Sequence, residues 1–433
     1  MQRRGLLMGD KKGLSDVVTS VLLILLVLAG VAIMWVVIRQ FISGTTAQLD
    51  SSVITTSFTI LPGASAQTVN SVVRSLKFNV RREAVTGSPA QVVALNVIVT
   101  DVSGAANNQR YEIPGGNFDP LSTQTITLTN IPNIQKVKSI EVVPVIRSVD
   151  GSEKQASSSS PQVLQDADQL YLPQIIAWYG FDETSWATSG TSTTRDQVSG
   201  IDGTVFFGTP ANGQVVPSTS DYIFGTAAAK FVNPSTSTGV AFIQLPNTAT
   251  GQTAGAGLGL DAPSATGNAL TLSAWIRPTD DYAQAIFGGY TGTAGYGLAM
   301  NLKQKGKNNL DAYGNGNQNW KESALNVLEY NKWNFVAVTV PNVGTSCTFY
   351  VNGQKVGNLD NTACPGPITT HIGNRKIGGL LTTSTCTQGT LCRSTSNLYE
   401  FDGSIDEFMI FKKELTETEI RNIYSYFNAR RVV

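Results

Sequence analysis

The chain has 433 residues, 31 basic and 31 acidic side chains, and only 14% charged residues. This is enough length for two or three domains with their own cores. The neutral, Ser/Thr/Gly/Asn-rich composition excludes a nucleic-acid binder, which needs a basic surface, and suits an exported β protein.

The first thirteen residues carry Arg3, Arg4, Lys11 and Lys12 against Asp10, and a charge-free run from Val17 to Ile38 follows. As a helix the run spans about 33 Å at ~1.5 Å per residue, enough to cross a bilayer. The preceding basic residues place the N-terminus in the cytoplasm and everything after Arg39 outside. A secretory signal fits poorly, because its apolar region is shorter and ends in a small-residue cleavage site. Ser15 and Asp16 suit the helix N-terminus, where an oxygen acceptor and a negative charge both stabilise.

The stretch "KKGLSDVVTSVLL" resembles the class III signal of archaeal type IV pilins and archaellins. The resemblance implies cleavage by a prepilin peptidase between Gly13 and Leu14, on the cytoplasmic side, so that residues 1–13 are a leader and the helix of 14–44 stays with the product. It also implies assembly through that helix, as a homo-oligomer or with co-pilins, with Asp16 facing the new amino group of a neighbouring Leu14. Bacterial pilins of the better-known kind carry a Glu at the fifth mature position, whereas the acid here is at the third. This favours the archaeal branch.

From residue 50 to 150 the period changes to β-branched runs, "SVITTSFTIL", "VVRSLKFNVRRE", "QVVALNVIVTDV", "QTITLTNI" and "KVKSIEVVPVIRSV", separated by turn residues. Five or six strands in a small antiparallel sandwich are predicted. The Ser-rich segment 151–168 is predicted to be a linker or exposed loop.

Residues 169–433 contain "LTLSAWIRP" and "WNFVAVTV", two apolar strands. Asn352-Gly353 in "YVNGQKV" predicts a hairpin. Thr416 and Glu419 in "TETE" predict a capping box ahead of a short helix. With "IIAWYGFDE", "THIGN" and "FDGSIDEFMIF" in order, this region resembles the laminin-G/concanavalin A-like jelly roll, which implies two packed antiparallel sheets. The expected fold class is therefore mainly β: an N-terminal hydrophobic helix, a small sandwich and a jelly roll.

Hydrolases of that fold carry a Glu-x-Asp-x-Glu strand. The nearest match has Asp406 and Glu407 adjacent, on opposite faces of an ideal strand. His371, the single histidine, has no nucleophile beside it, so no enzyme activity is expected. The resemblance implies Ca²⁺ between the first and last strands, held by Asp182, Glu183 and Asp406. Calcium needs six to eight oxygens. Exposed aromatics in Gly/Asn-rich segments make Tyr290, Tyr296, Tyr313 and Trp320 candidates for stacking on an extracellular glycan or packing on a protein ligand. Trp275 and Trp333 lie in apolar strands and are expected in the core.

Four cysteines close the inventory, without zinc spacing. They predict two disulfides with three possible pairings, of which the sequence-local choice is Cys347–Cys364 and Cys386–Cys392. The expected product is a pilin-like subunit at the cell membrane and then the surface or filament, bearing a lectin-like head. A monomeric membrane-anchored binding protein and a surface glycan hydrolase are the alternatives.

Overall fold

The computed structural model describes residues 20–31, 33–36, 57–84, 91–148, 151–165, 168–186, 192–206, 213–233, 241–245, 269–290, 295–301, 306–314, 321–341, 346–359, 375–379 and 400–431. It is mainly β, as predicted. Residues 20–31 and 33–36 are helical, and their apolar side chains are exposed all round the axis, from Val21 through Leu26 to Trp35. Among the described residues no helix is long and apolar enough to cross a membrane. The predicted span, 17–38, extends beyond the described residues at both ends. Gly13, Leu14, Ser15 and Asp16 also lie outside them.

The first sandwich packs a six-stranded sheet on a five-stranded one. The six-stranded sheet centres on Val72–Arg82, paired with Phe58–Ile60, Ser65–Val69, Thr123–Leu128 and Ile131–Pro132. The other centres on Gln91–Asp101 and Val137–Arg147, paired antiparallel over ten positions. Alternating residues of the two central strands, such as Leu76, Phe78, Val80, Val97 and Val99, meet in one apolar core. Ala106–Glu112 is an added polar edge strand that no hydrophobic pattern marks.

The predicted linker is corrected. Glu153–Gln155 and Gln162–Val163 both pair with Val137–Arg147 and extend the first sandwich. Gln169–Leu172 then pairs in parallel with Ser65–Val69, so the chain leaves the first sheet only after Leu172.

The jelly roll has two eight-stranded sheets. In one, the closing strand Gly403–Phe411 lies between Ala228–Val232 and Leu270–Pro278, and the opening strand Ile175–Tyr179 pairs with its end. Asn334–Val340, Thr348–Val351 and Gln354–Val356 follow outward. The predicted hairpin is present: Asn352 and Gly353 both have positive φ (49° and 75°), as a type I′ turn requires. The other sheet runs Ser192–Thr194, Gly203–Phe206, Phe242–Leu245, Arg375–Ile377, Gln284–Tyr290, Gly295–Met300, Leu310–Gly314 and Lys321–Glu322. Inner faces of both sheets share one core that includes Val205, Ile243, Phe287, Val336 and Ile405.

The helix Glu417–Asn428 begins with the predicted capping box, Thr416 with Glu419. Its apolar side, Ile420, Ile423 and Phe427, covers the outer face of the first jelly-roll sheet against Trp178, Trp275, Phe335 and Phe411. Trp275 and Trp333 are buried, as expected. Cys347 is buried and disulfide-bonded. Its partner lies outside the described residues, as do Cys364, Cys386 and Cys392.

Candidate functional site

The opening and closing strands do come together, with Tyr179 opposite Phe408. Beyond Tyr179 the chain turns through Phe181, which has a positive φ of 54°, and presents Asp182 and Glu183. The two acids part company. Glu183 accepts hydrogen bonds from the Arg195 amide (2.7 Å) and the Thr194 hydroxyl (3.0 Å). Asp182 accepts from the Thr226 amide (2.7 Å) and from the Gln197 side-chain amide (3.4 Å).

Asp406 is fully buried. Its carboxylate accepts from the amides of Ile223 (2.7 Å), Phe224 (3.3 Å) and Glu407 (2.8 Å), and so fastens the 221–226 loop to the closing strand. A β-bulge sits here: Ser273 is opposite Met409 but Trp275 is opposite Asp406, so Ala274 faces two residues, Glu407 and Phe408. Glu407 adopts a positive φ of 50° and accepts from the Trp178 indole. Asp406 and Glu407 are therefore not directed apart, as strict alternation predicts. They form a buried acidic pair, with the half-buried Asp182 beside them. Burial is the main cause that raises the pKa of each of the three, and Asp182 adds repulsion at both of the others.

These acids do not fit calcium. Amide and hydroxyl hydrogens point at Asp406 and Glu183, where a cation would need oxygens only. Among the described residues no group of three or more His, Cys, Asp or Glu is arranged to hold a metal ion.

The second jelly-roll sheet offers a different face. One row across its strands, Val205, Ile243, Ile377, Phe287, Leu298 and Ala312, consists wholly of core residues. The adjacent row must occupy the opposite face, because side chains alternate. It runs Thr204, Gln244, Lys376, Gly288, Gly297, Tyr313. Its central members Gly288, Gly297 and Lys376 are all buried, so this row is a covered face and not an open surface. The Lys376 ammonium lies 3.7 Å from the centre of the Phe242 ring. Phe242 in turn stacks on Phe206, with 5.0 Å between ring centres. Asp311 and Glu322 are paired directly across strands further along.

The tyrosine candidates divide. Tyr296 is corrected: it is buried in the core, its ring 5.6 Å from that of Phe287. Alternation places it inward once the strand Gly295–Met300 is recognised. Tyr313 sits on the strand Leu310–Gly314, not in a loop, and holds the last position of the glycine row. Tyr290 ends the strand Gln284–Tyr290. Trp320 and His371 lie outside the described residues. Sequence reasoning missed Gly288, Gly297 and Lys376. The signal was the glycine-dense stretch "FGGYTGTAGYG", read for its tyrosines instead.

Burial lowers the pKa of Lys376 to about 7, with Glu400 opposing the shift. The unfolded amine titrates near 10.4. Between these values the unfolded chain binds more protons, so this residue makes stability rise with pH from about 7 to about 10. Lys376→Met should abolish that contribution. Thermal melts of both proteins across this range should show a wild-type gain, relative to the variant, that approaches the slope of one proton. Parallel curves would refute it.

No curated protein matches the sequence. Among solved structures, the chain is similar to domain 4 of an extracellular arabinanase from Geobacillus stearothermophilus, in complex with arabinotriose. The identity is 16% over 58% of this chain and 98% of that one, with a TM-score of 0.37. It is also similar to a SAP-like pentraxin from Limulus polyphemus, at 20% identity over 36% of this chain and 70% of that one, with a TM-score of 0.28. A Trypanosoma rangeli sialidase mutant is 14% identical over 86% of this chain, which spans 53% of the sialidase, with a TM-score of 0.39. Residues 250–421 match the model of the Laminin_G_3 family, described as the concanavalin A-like lectin/glucanases superfamily, and the C-terminal part of the chain thus carries a laminin-G/concanavalin A-like domain.

Proposed function

We propose that the protein is a pilin-like cell-surface subunit whose C-terminal domain binds carbohydrate. The observation that carries this reading is the union in one chain of a helix with apolar side chains exposed on every side and a lectin-type domain. A helix apolar all round is stable only among lipids or other such helices. The pilin resemblance supplies the order of events. Prepilin peptidase cuts between Gly13 and Leu14, and the retained helix, which first anchors the precursor in the membrane, then packs with copies of itself or with co-pilins. The head remains outside and adheres to glycans. Binding is favoured over hydrolysis because Asp406 and Glu407 are buried beyond reach of a substrate.

The test has two readouts on native surface material. Mass spectrometry of the mature chain should give an N-terminus at Leu14, and a chain beginning at Met1 would replace the filament by a monomeric anchor. The same material should retain glycans from an array of surface polysaccharides. Release of shortened glycans would indicate a hydrolase instead, and no retention of any saccharide would overturn the lectin reading.

A further inference from the structure

A cavity of about 400 Å³ opens on the other side of the jelly roll, beside the end of the helix Glu417–Asn428. It lies over the outer face of the sheet that carries Trp275, the face that the helix covers. Its size falls in the range of small-ligand sites.

The wall is built rigidly. Asp221 accepts from the Trp333 indole (2.8 Å) and forms an ion pair with Arg277, whose Nε donates to the Asn331 carbonyl (3.1 Å). These groups hold each other, and Glu329 is likewise paired with Lys332. What remains uncommitted is specific. Among the described residues, the side-chain amides of Asn331 and Asn428 have no hydrogen-bond partner, and Asn352 uses only its oxygen, on the Phe335 amide (2.9 Å). Arg431 lines the same cavity and has no carboxylate partner among the described residues. At the buried end, Trp275 stacks on Tyr424 (5.5 Å between centres, 26° between planes), and its indole N–H has no acceptor although the residue is 1% exposed.

We propose that this cavity is a binding site of the head, for a saccharide that carries a carboxylate. Arg431 pairs with the carboxylate, and the three asparagine amides meet hydroxyls, which both donate and accept. The aromatic edges that line the cavity cover the ring's apolar face. The lining holds three basic and two acidic side chains, and both acids are already paired, so one positive charge is left for the ligand. The inference rests on the carbohydrate reading of this domain and adds a site and a ligand class to it.

The full chain, held in detergent, is titrated with methyl β-D-glucuronide and with methyl β-D-glucoside, following tryptophan fluorescence. Saturable binding of the glucuronide is expected, about tenfold or more tighter than the glucoside, from one charge-assisted bond. Arg431→Gln should erase that difference, and Asn428→Ala should weaken both sugars. Both positions are exposed at a helix end, so thermal melts should be unchanged. If the glucuronide fails to bind while neutral glycans are still retained, this site falls and the lectin reading stands. If no saccharide of either kind binds, both fall. N-Acetylglutamate binding as tightly as the glucuronide would make the cavity a general anion site and overturn the saccharide assignment.

Discussion

Replacing Asp406 by alanine is expected to destabilise the jelly roll by about 3–5 kcal/mol, because a buried side chain that satisfies three backbone amides is lost. The side chain accepts from three backbone amides, those of Ile223, Phe224 and Glu407, and it is wholly shielded from water. Truncation leaves those donors buried and unsatisfied, each at a cost of about 1–3 kcal/mol. It also frees the 221–226 loop, which carries Asp221 and the Thr226 amide that binds Asp182. Asp406→Asn should fall between wild type and alanine. Its carbonyl oxygen can keep the two bonds to Ile223 and Phe224, but its NH₂ meets the Glu407 N–H as donor against donor. Chemical denaturation of the three proteins checks the order, and an alanine variant within about 1 kcal/mol of wild type would show that the loop is held by other means.

The same cluster fixes a pH sign. Burial first, then neighbouring carboxylates, raise the pKa of Glu407. Above the ordinary range of about 4 the folded state therefore keeps protons that the unfolded chain has lost, and stability falls as pH rises. Glu407→Gln mimics the neutral form, so its stability curve should be flatter than that of wild type on this side. This slope opposes that of Lys376, which operates from about 7 upward.

How much of this was legible in advance depended on the range of the signal. The Asn352-Gly353 turn and the Thr416–Glu419 box are local, and both stand where the residues place them. Strands with one buried face, such as Val72–Arg82, declared themselves through β-branched residues and partial alternation. Edge strands did not. Glu153–Gln155 is polar throughout and Gln162–Val163 is only two residues long, so composition assigns them to a linker although their backbones extend a sheet. Alternation misled at Asp406 and Glu407, because the extra residue of a bulge is visible only when the partner strand is known. The glycine row is harder still. It is a transverse feature that links Thr204 to Tyr313 through six strands, and no window along the chain contains it.

Phe427→Ala is expected to separate the two sandwiches thermally. One apolar cluster spans them: Val69, Leu170 and Leu172 from the first sheet meet Trp178, Phe411, Ile423 and Phe427 from the jelly roll and its helix. Polar contacts follow the same seam, with Gln67 donating to the Tyr426 hydroxyl (3.0 Å) and Asn70 to the Ile175 carbonyl (2.8 Å). Phe427 lies at the middle of an aromatic group, edge-on to Trp178 and Phe224 with ring centres 6.4 and 5.5 Å away. Its truncation leaves a cavity worth about 3–5 kcal/mol. That loss falls on the helix and the seam and spares the core of the first sandwich, where Leu76, Phe78 and Val97 pack without it. Calorimetry should therefore show one transition for the wild type and two for the variant, the later one belonging to the first sandwich. Two transitions already in the wild type would mean that the seam does not couple the domains. A single unshifted transition in the variant would mean that Phe427 contributes nothing to it. The seam matters for the proposed role because a head fused to the first sandwich by a shared parallel strand and a shared core cannot swing freely. Its ligand surfaces are then presented at an angle fixed by the rest of the subunit.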